Sequence, residues 1–138
     1  MLFRSSEYLG GSKALPEKIK RLAGMIAARS MDCQYIWDAQ ATAGRQAGLS
    51  HGLIDALREK DPLPTLPADE AILVHYGEEL VHSHYVSEQV FQAALDQVGL
   101  QGLTEFTTYI GYYRMLALNA NAFTIDIPED RTEALLPI

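Results

Sequence analysis

The stretch CQYIWDAQATAGRQAGLS, residues 33–50, decides the fold of this chain, and it holds the sequence's only Cys and only Trp. Within this stretch, side chains spaced three and four residues apart predict a helix on which they share one broad face. Small side chains toward its end allow a second helix to approach closely. Gly48 is expected to end this helix in a left-handed conformation, and Ser50 is expected to cap the next helix.

Helical spacing of apolar residues continues on both sides of this stretch. A lead-in helix is predicted from Leu15-Pro16 to about Ser30, with Asp32 as the N-cap of the central helix. The prolines of residues 61–67 form a connector between two halves of one domain. Further helices are predicted to start near His51 and Asp69, then at Ser87 and Thr104 with a turn at Gly99 and Gly102 between them. No strand pattern of useful length occurs, so we predict an all-α fold of about six helices.

Composition is that of one globular domain spanning residues 1–138, since 48% of the 138 residues are hydrophobic and 21% are charged. We expect residues 1–14 to form a lead-in segment and residues 124–138 a tail lying on the surface. No apolar run reaches the length of a membrane span, and the first residues lack a secretory signal pattern. One cysteine cannot form an internal disulfide. The expected location is therefore the cytoplasm, without membrane association.

Charge is distributed unevenly along the chain. The formal net charge is −7, with +3 on residues 1–60 and −10 on residues 61–138. An acidic second half argues against nucleic-acid binding. Two interpretations stay open: a solvated acidic face, or contact between the basic half of one subunit and the acidic half of another.

Several segments, in order, resemble the carboxymuconolactone decarboxylase-like proteins of the alkyl hydroperoxidase D-like superfamily. They cover roughly residues 15–130. The segments are Leu15-Pro16, Cys33-Gln34-Tyr35-x-Trp37, Gly48-Leu49-Ser50, Val86-Ser87 with Phe91 and Leu95, Gly111-Tyr112-Tyr113, Asn119 to Phe123, and Pro128. The resemblance implies an alkyl hydroperoxidase D-like helical subunit that assembles into a homo-oligomer, as a dimer, trimer or hexamer.

The same resemblance implies where chemistry would lie. Active members carry a Glu on the lead-in helix, a Cys, a second Cys or Glu three residues later, and a His four residues after that. Here these positions hold Arg21, Cys33, Ile36 and Gln40. Without a second thiol there is no CxxC disulfide exchange, and Gln40 cannot accept a proton at neutral pH. The sequence therefore argues against the family's peroxidase activity and indicates a degenerate active site.

Arg21 and Gln40 suggest a different use of the site. A guanidinium and an amide can bind a carboxylate or enolate oxygen, with Ile36, Trp37 and Tyr113 as walls of the pocket. We therefore predict a diverged lyase or isomerase acting on a small carbonyl or carboxylate compound. The alternatives are a non-catalytic ligand-binding or scaffold protein, a single-cysteine redox protein using Cys33, and a purely structural Arg21 and Gln40.

His75, Glu79 and His82 lie at i, i+4 and i+7 on one predicted helix. This spacing suits either a metal site or the polar outer face of an amphipathic helix. Three ligands from one helix rarely close a tetrahedral site, so we expect no metal and no cofactor. His75 follows the apolar run of residues 72–74, which makes it the candidate to replace the missing acid–base group.

Overall fold

The structure is a computed structural model and describes residues 15–138. Within these residues it contains five helices and no strand. The helices are α1 Glu17–Ser30, α2 Gln34–Gln46, α3 His51–Glu59, α4 Ala68–Ser83 and α5 Glu88–Ala122. The prediction of an all-α fold is confirmed. The predicted lead-in segment at residues 1–14 lies outside the described residues.

Helix α1 is the centre of the bundle, because it packs against α2, α4 and α5 and also touches α3. Every residue from Leu22 to Arg29 is buried. Small residues at positions 23, 24, 27 and 28 leave room for several helices to approach this one closely. A helix surrounded in this way needs an apolar or small residue at almost every position, which the sequence supplies.

The end of α2 is formed by the residues that the sequence singled out. Gly48 has φ +104°, and its N–H donates to the Arg45 carbonyl at 3.2 Å, while Leu49 N–H donates to the Gly44 carbonyl at 3.0 Å. These two hydrogen bonds make a Schellman motif, in which glycine is favoured because it has no Cβ. Ser50 Oγ accepts from Leu53 N–H at 3.2 Å and caps α3. Both predictions are confirmed.

The predicted cap at the start of α2 is wrong. Cys33 occupies the N-cap position, and no side chain there bonds a backbone N–H. Asp32 instead has φ +48° and pairs its carboxylate with Arg29 on α1. Asp32 therefore belongs to the turn that ends α1, since Asp tolerates the left-handed conformation better than most residues.

Helix α5 combines the two helices predicted for residues 87–98 and 104–120. The break between them is reduced to Gly99, whose φ of 75° and ψ of 170° are accessible almost only to glycine. Thr104 does not cap a helix, because its hydroxyl donates to the Leu100 carbonyl at 2.7 Å within the second segment. The predicted turn is thus a one-residue kink.

The C-terminal segment, residues 131–138, lies along α2 and runs antiparallel to it. The Gln34 side chain forms two hydrogen bonds with the backbone of Leu136, at 2.9 Å and 2.7 Å. Nearer the end of α2, Arg45 pairs with the buried carboxylate of Glu133, with Nε 2.6 Å from Oε1. Leu136 is only 3% exposed and joins the core. This tail is a packed part of the fold.

None of the helices in residues 15–138 combines the length and the apolar character needed to cross a membrane.

Candidate functional site

Three predicted site residues from three different helices meet near the N-terminal end of α1. Arg21 Nη1 lies 3.2 Å from Gln40 Oε1 on α2 and 3.5 Å from the hydroxyl of Tyr113 on α5. Glu17, one turn before Arg21, completes what we call the polar cluster: Glu17, Arg21, Gln40 and Tyr113. Gln40 is buried, Arg21 and Tyr113 are half-buried, and Glu17 is exposed.

The position of Gln40 depends on a glycine in α1. A Cβ atom at Gly24 would lie 2.6 Å from Gln40 Oε1 and 2.8 Å from Cγ and Cδ. The Gln40 side chain therefore rests directly on the α1 backbone, and it is buried there. This contact holds its amide beside Arg21.

Glu17 and Arg21 form the charged part of the cluster. The Glu17 Oε1 atom accepts from Arg21 Nε at 2.9 Å and lies 2.6 Å from Nη2. Glu17 thus occupies one side of the guanidinium, and Nη1 faces Gln40 and Tyr113. The spacing is i, i+4, which brings the two side chains together on one helix face.

The tyrosines beside the cluster are neutral at physiological pH. Burial raises the pKa of Tyr113, while the Arg21 guanidinium and a hydrogen bond from Gln40 act in the opposite direction. Burial raises the pKa of the neighbouring Tyr109 to about 12. At neutral pH the cluster therefore presents three hydrogen-bond donors, a guanidinium, an amide and a phenol, beside the carboxylate of Glu17. Such a set suits an anionic or carbonyl oxygen.

The other residues predicted from the central helix lie in the core. Cys33 is 1% exposed, and Ile36 and Trp37 are buried with it. The Trp37 indole N–H has no hydrogen-bond partner among the described residues. Cys33 is therefore shielded from solvent, as a small apolar residue would be.

His75 is not part of the polar cluster. It is exposed on α4 and lines a separate groove of about 530 Å³ between α1, α3 and α4. Residues around this groove include Ile26, Arg29, Lys60, Glu78 and His82, but neither Arg21 nor Gln40. The proposal that His75 supplies the missing acid–base group to Arg21 and Gln40 has no geometric support.

The histidines and acids of α4 have local partners. His82 Nδ1 bonds the Glu78 carbonyl at 2.7 Å, and Glu79 accepts from the Ser87 backbone N–H at 3.1 Å. Among residues 15–138, no group of three His, Cys, Asp or Glu side chains is placed to hold a metal ion.

Sequence reasoning did not assign Glu17 and Gly24 to the site. A signal for Glu17 was present, because it precedes Arg21 by four residues on a predicted helix. Gly24 was also visible as an isolated glycine within a helical pattern, which often marks close packing. Only the structure shows that Gln40 is the side chain packed against it.

Comparison with known proteins supports the fold and leaves the activity open. No protein-family model and no curated protein match the sequence. The structure is similar to that of a protein of unknown function from Agrobacterium tumefaciens, described as a candidate antioxidant defence protein AhpD. The TM-score is 0.81, the sequence identity is 17%, and the match covers 94% of this chain and 89% of the other. The chain therefore has an AhpD-like helical fold.

Proposed function

We propose that this chain is a diverged, carboxymuconolactone decarboxylase-like enzyme of the lyase or isomerase type. It would bind a small carbonyl or carboxylate compound at the polar cluster. The observation that carries this proposal is the position of Arg21 Nη1, 3.2 Å from Gln40 and 3.5 Å from Tyr113. Residues distant in sequence supply three kinds of hydrogen-bond donor to one place.

The chemistry of the donors supports this class of substrate. Loss of CO₂ from a carboxylate, or movement of a proton beside a carbonyl, builds negative charge on an enolate oxygen. Fixed donors directed at that oxygen lower the barrier, because they need no reorganisation as the charge develops. A guanidinium also binds carboxylates more specifically than an ammonium does. Exposed Glu17 now contacts Nε and Nη2, so a substrate carboxylate would compete with it.

Burial of Cys33 favours this proposal over a redox function. A redox cysteine must reach its substrate as a thiolate, and Cys33 is 1% exposed. We expect alkylation of Cys33 to be slow in the native protein and fast after unfolding. Rapid alkylation of the native protein would favour the redox alternative. A buried, unpaired thiol also suits the reducing cytoplasm that we propose as its location.

The second candidate is a binding protein without catalysis. It is favoured by the composition of the cluster, in which the carboxylate of Glu17 is paired with Arg21 and no histidine is present. Both candidates require the same ligand contacts. Turnover of a bound compound would separate them.

The experiment is a thermal-shift screen of small oxygen anions, with acetate, benzoate, pyruvate and acetoacetate as probes. We expect at least one probe to raise the Tm of the wild-type protein, and Arg21→Ala and Gln40→Ala to abolish that rise. Arg58→Ala is the matched control, because Arg58 pairs with Asp55 and Glu59 on α3. Equal probe effects in all four proteins would contradict the proposed site.

We also propose that the subunit forms a homo-oligomer through α5. Gly111, Met115 and Leu118 share one face at i, i+4 and i+7. Met115 is 50% exposed, Leu118 is 58% exposed, and the space beside Gly111 is open. A second copy of this chain would cover such an apolar face in a symmetric contact.

A further inference from the structure

We infer that Tyr113 is the proton donor of the polar cluster, with its phenol oxygen held by Arg21, which also contacts Gln40. This inference rests on the proposed function and names the residue that would replace the missing acid–base group. The acid–base residue would then lie on α5, whereas the family resemblance implies a position on α2.

The hydrogen-bond directions identify the phenol as the donor toward a ligand. Arg21 Nη1 donates to Gln40 Oε1 at 3.2 Å, which leaves the Gln40 amide N–H groups for other acceptors. Arg21 Nη1 donates to the phenol oxygen at 3.5 Å, and the Gln40 side chain is among the groups that favour the phenolate. A guanidinium and an amide N–H can only donate. The phenol oxygen accepts from Arg21, so its own hydrogen is available to another partner.

The surroundings keep this proton in place at rest. Tyr109 stacks on Tyr113 with ring centroids 6.3 Å apart, and Tyr112 meets it edge-on at 5.2 Å. In the part of the chain that the structure describes, the titratable groups facing the phenol are these two tyrosines, together with Arg21 and Glu17. Burial among rings favours the neutral phenol, whereas Arg21 and Gln40 favour the phenolate. The phenol is thus protonated before the reaction, and Arg21 and Gln40 offset part of the cost of forming the phenolate.

The proposed step is balanced. Departing CO₂ leaves the electron pair of its C–C bond on the bound carbonyl compound as a carbanion or enolate. The O–H bond of Tyr113 then breaks, and its proton forms a new C–H or O–H bond with that pair. The electron pair of the broken O–H bond stays on the phenol oxygen, which then faces the Arg21 guanidinium and the Gln40 amide. Solvent returns a proton to Tyr113 afterwards, so the step needs no oxidant or reductant.

The test is the titration of Tyr113 in protein labelled with difluorotyrosine, followed by fluorine NMR. The fluorinated phenol is more acidic than tyrosine, which brings its titration to milder pH. The Tyr113 signal is identified by its loss in Tyr113→Phe. We expect Arg21→Met to move the Tyr113 midpoint to higher pH by about 0.5 or more, because a nearby cation is removed. Gln40→Leu should move it in the same direction by less.

Two variants make the result specific. Arg21→Lys keeps the charge and should place the midpoint between those of the wild type and Arg21→Met. Arg58→Met removes a cation on α3 and should leave the midpoint unchanged. An unchanged Tyr113 midpoint in both Arg21→Met and Gln40→Leu would overturn the inference, because the phenolate would then lack the two groups proposed to stabilise it.

A ligand measurement separates this inference from the proposed function. A probe that stabilises the wild-type protein should move the Tyr113 midpoint upward, because an acceptor for its hydrogen favours the neutral phenol. A bound probe that leaves the midpoint unchanged would overturn the inference while the proposed function stands. If no probe binds, the proposed function fails, and the Arg21→Met titration still decides whether the phenol oxygen is held as described.

Discussion

Gly24 controls how closely Gln40 can lie against α1. A Cβ atom there would approach Gln40 Oε1 to 2.6 Å, so Gly24→Ala must displace the Gln40 side chain. We expect a loss of about 1–3 kcal/mol in the free energy of unfolding, as for other overpacked cores. We also expect probe binding to weaken, because Gln40 moves away from Arg21. Urea unfolding and the thermal-shift screen measure the two effects.

Gly52→Ala is the matched control for this substitution. A Cβ atom at Gly52 would lie 3.4 Å from Pro64, which is an ordinary contact. Its unfolding free energy should equal the wild-type value or exceed it by up to about 1 kcal/mol, because alanine is favoured over glycine in a helix. If Gly24→Ala kept the wild-type unfolding free energy and probe binding, the position of the Gln40 side chain would not depend on the glycine.

Asp38 is a second single residue with a measurable consequence. One of its carboxylate oxygens is buried and has no hydrogen-bond partner within residues 15–138. Burial, and then the nearby Glu133 carboxylate, raise the pKa of Asp38 above its usual value of 3.8. A raised pKa in the folded state means that the protonated form is the better tolerated one. Stability is therefore lost as pH rises from below 3.8 through the folded-state pKa.

Asp38→Asn should raise the Tm at neutral pH, with a smaller difference from the wild type in acid, where Asp38 is protonated. Asp55→Asn should lower the Tm at neutral pH, again with a smaller difference from the wild type in acid. Arg45 lowers the pKa of Asp55, so its carboxylate stabilises the fold above pH 3.8 and this contribution is lost in acid. Thermal unfolding of both variants across pH tests the pair. A lower Tm for Asp38→Asn at neutral pH would contradict the assignment.

Among the elements, the C-terminal segment contains two adjacent leucines, one buried and one exposed. Leu136 is 3% exposed, and Leu135 is 46% exposed. Leu136→Ala should lower the unfolding free energy by about 2–4 kcal/mol, since it removes a buried side chain. Leu135→Ala should change it by less than about 1 kcal/mol. Urea unfolding gives both values, and equal effects would show that the segment does not pack as described.

The sequence predicted elements best where one residue determines local geometry. Gly48 and Ser50 were read correctly because a left-handed stop and an N-cap each depend on neighbours within four residues. Asp32 and Thr104 were misread because both are good cap residues in general. Tertiary packing uses Asp32 in a turn with Arg29, and one kink at Gly99 lets Thr104 remain inside α5.

The candidate site was predictable only in part. The resemblance drew attention to Arg21 and Gln40, and the structure brings them together with Tyr113. Proximity between helices cannot be read from spacing within one helix, so the contact between Tyr113 and Arg21 was not predicted. His75 was expected to serve the pocket of Arg21 and Gln40, whereas it lines a separate groove. Glu17 was not assigned to the site, because an acidic residue in the first turn of a helix is already accounted for by the positive end of the helix dipole.

At the scale of the whole molecule, the uneven charge has an internal explanation. Helices α1 to α3 come from the basic half of the chain, and α4 and α5 come from the acidic half. Lys18 on α1 pairs with Glu70 on α4 at 2.9 Å, and Arg45 on α2 pairs with Glu133 in the tail at 2.6 Å. These pairs connect the two halves within one subunit, so fewer cations remain for contact with a neighbour's acidic half.

Assembly of subunits should therefore depend on the apolar face of α5 rather than on charge. We expect light scattering to give a mass that is a multiple of 15.3 kDa. The mass should persist in about 1 M salt, where electrostatic contacts are screened within about 3 Å. Leu118→Glu should lower it, because a carboxylate in an apolar interface loses its hydration. Leu135→Glu is the control, since Leu135 is 46% exposed and lies in the C-terminal segment, away from α5 in sequence. A wild-type mass of one subunit would refute the assembly. If salt dissociated the oligomer and Leu118→Glu had no effect, contact between the basic and acidic halves of neighbouring subunits would explain the assembly instead.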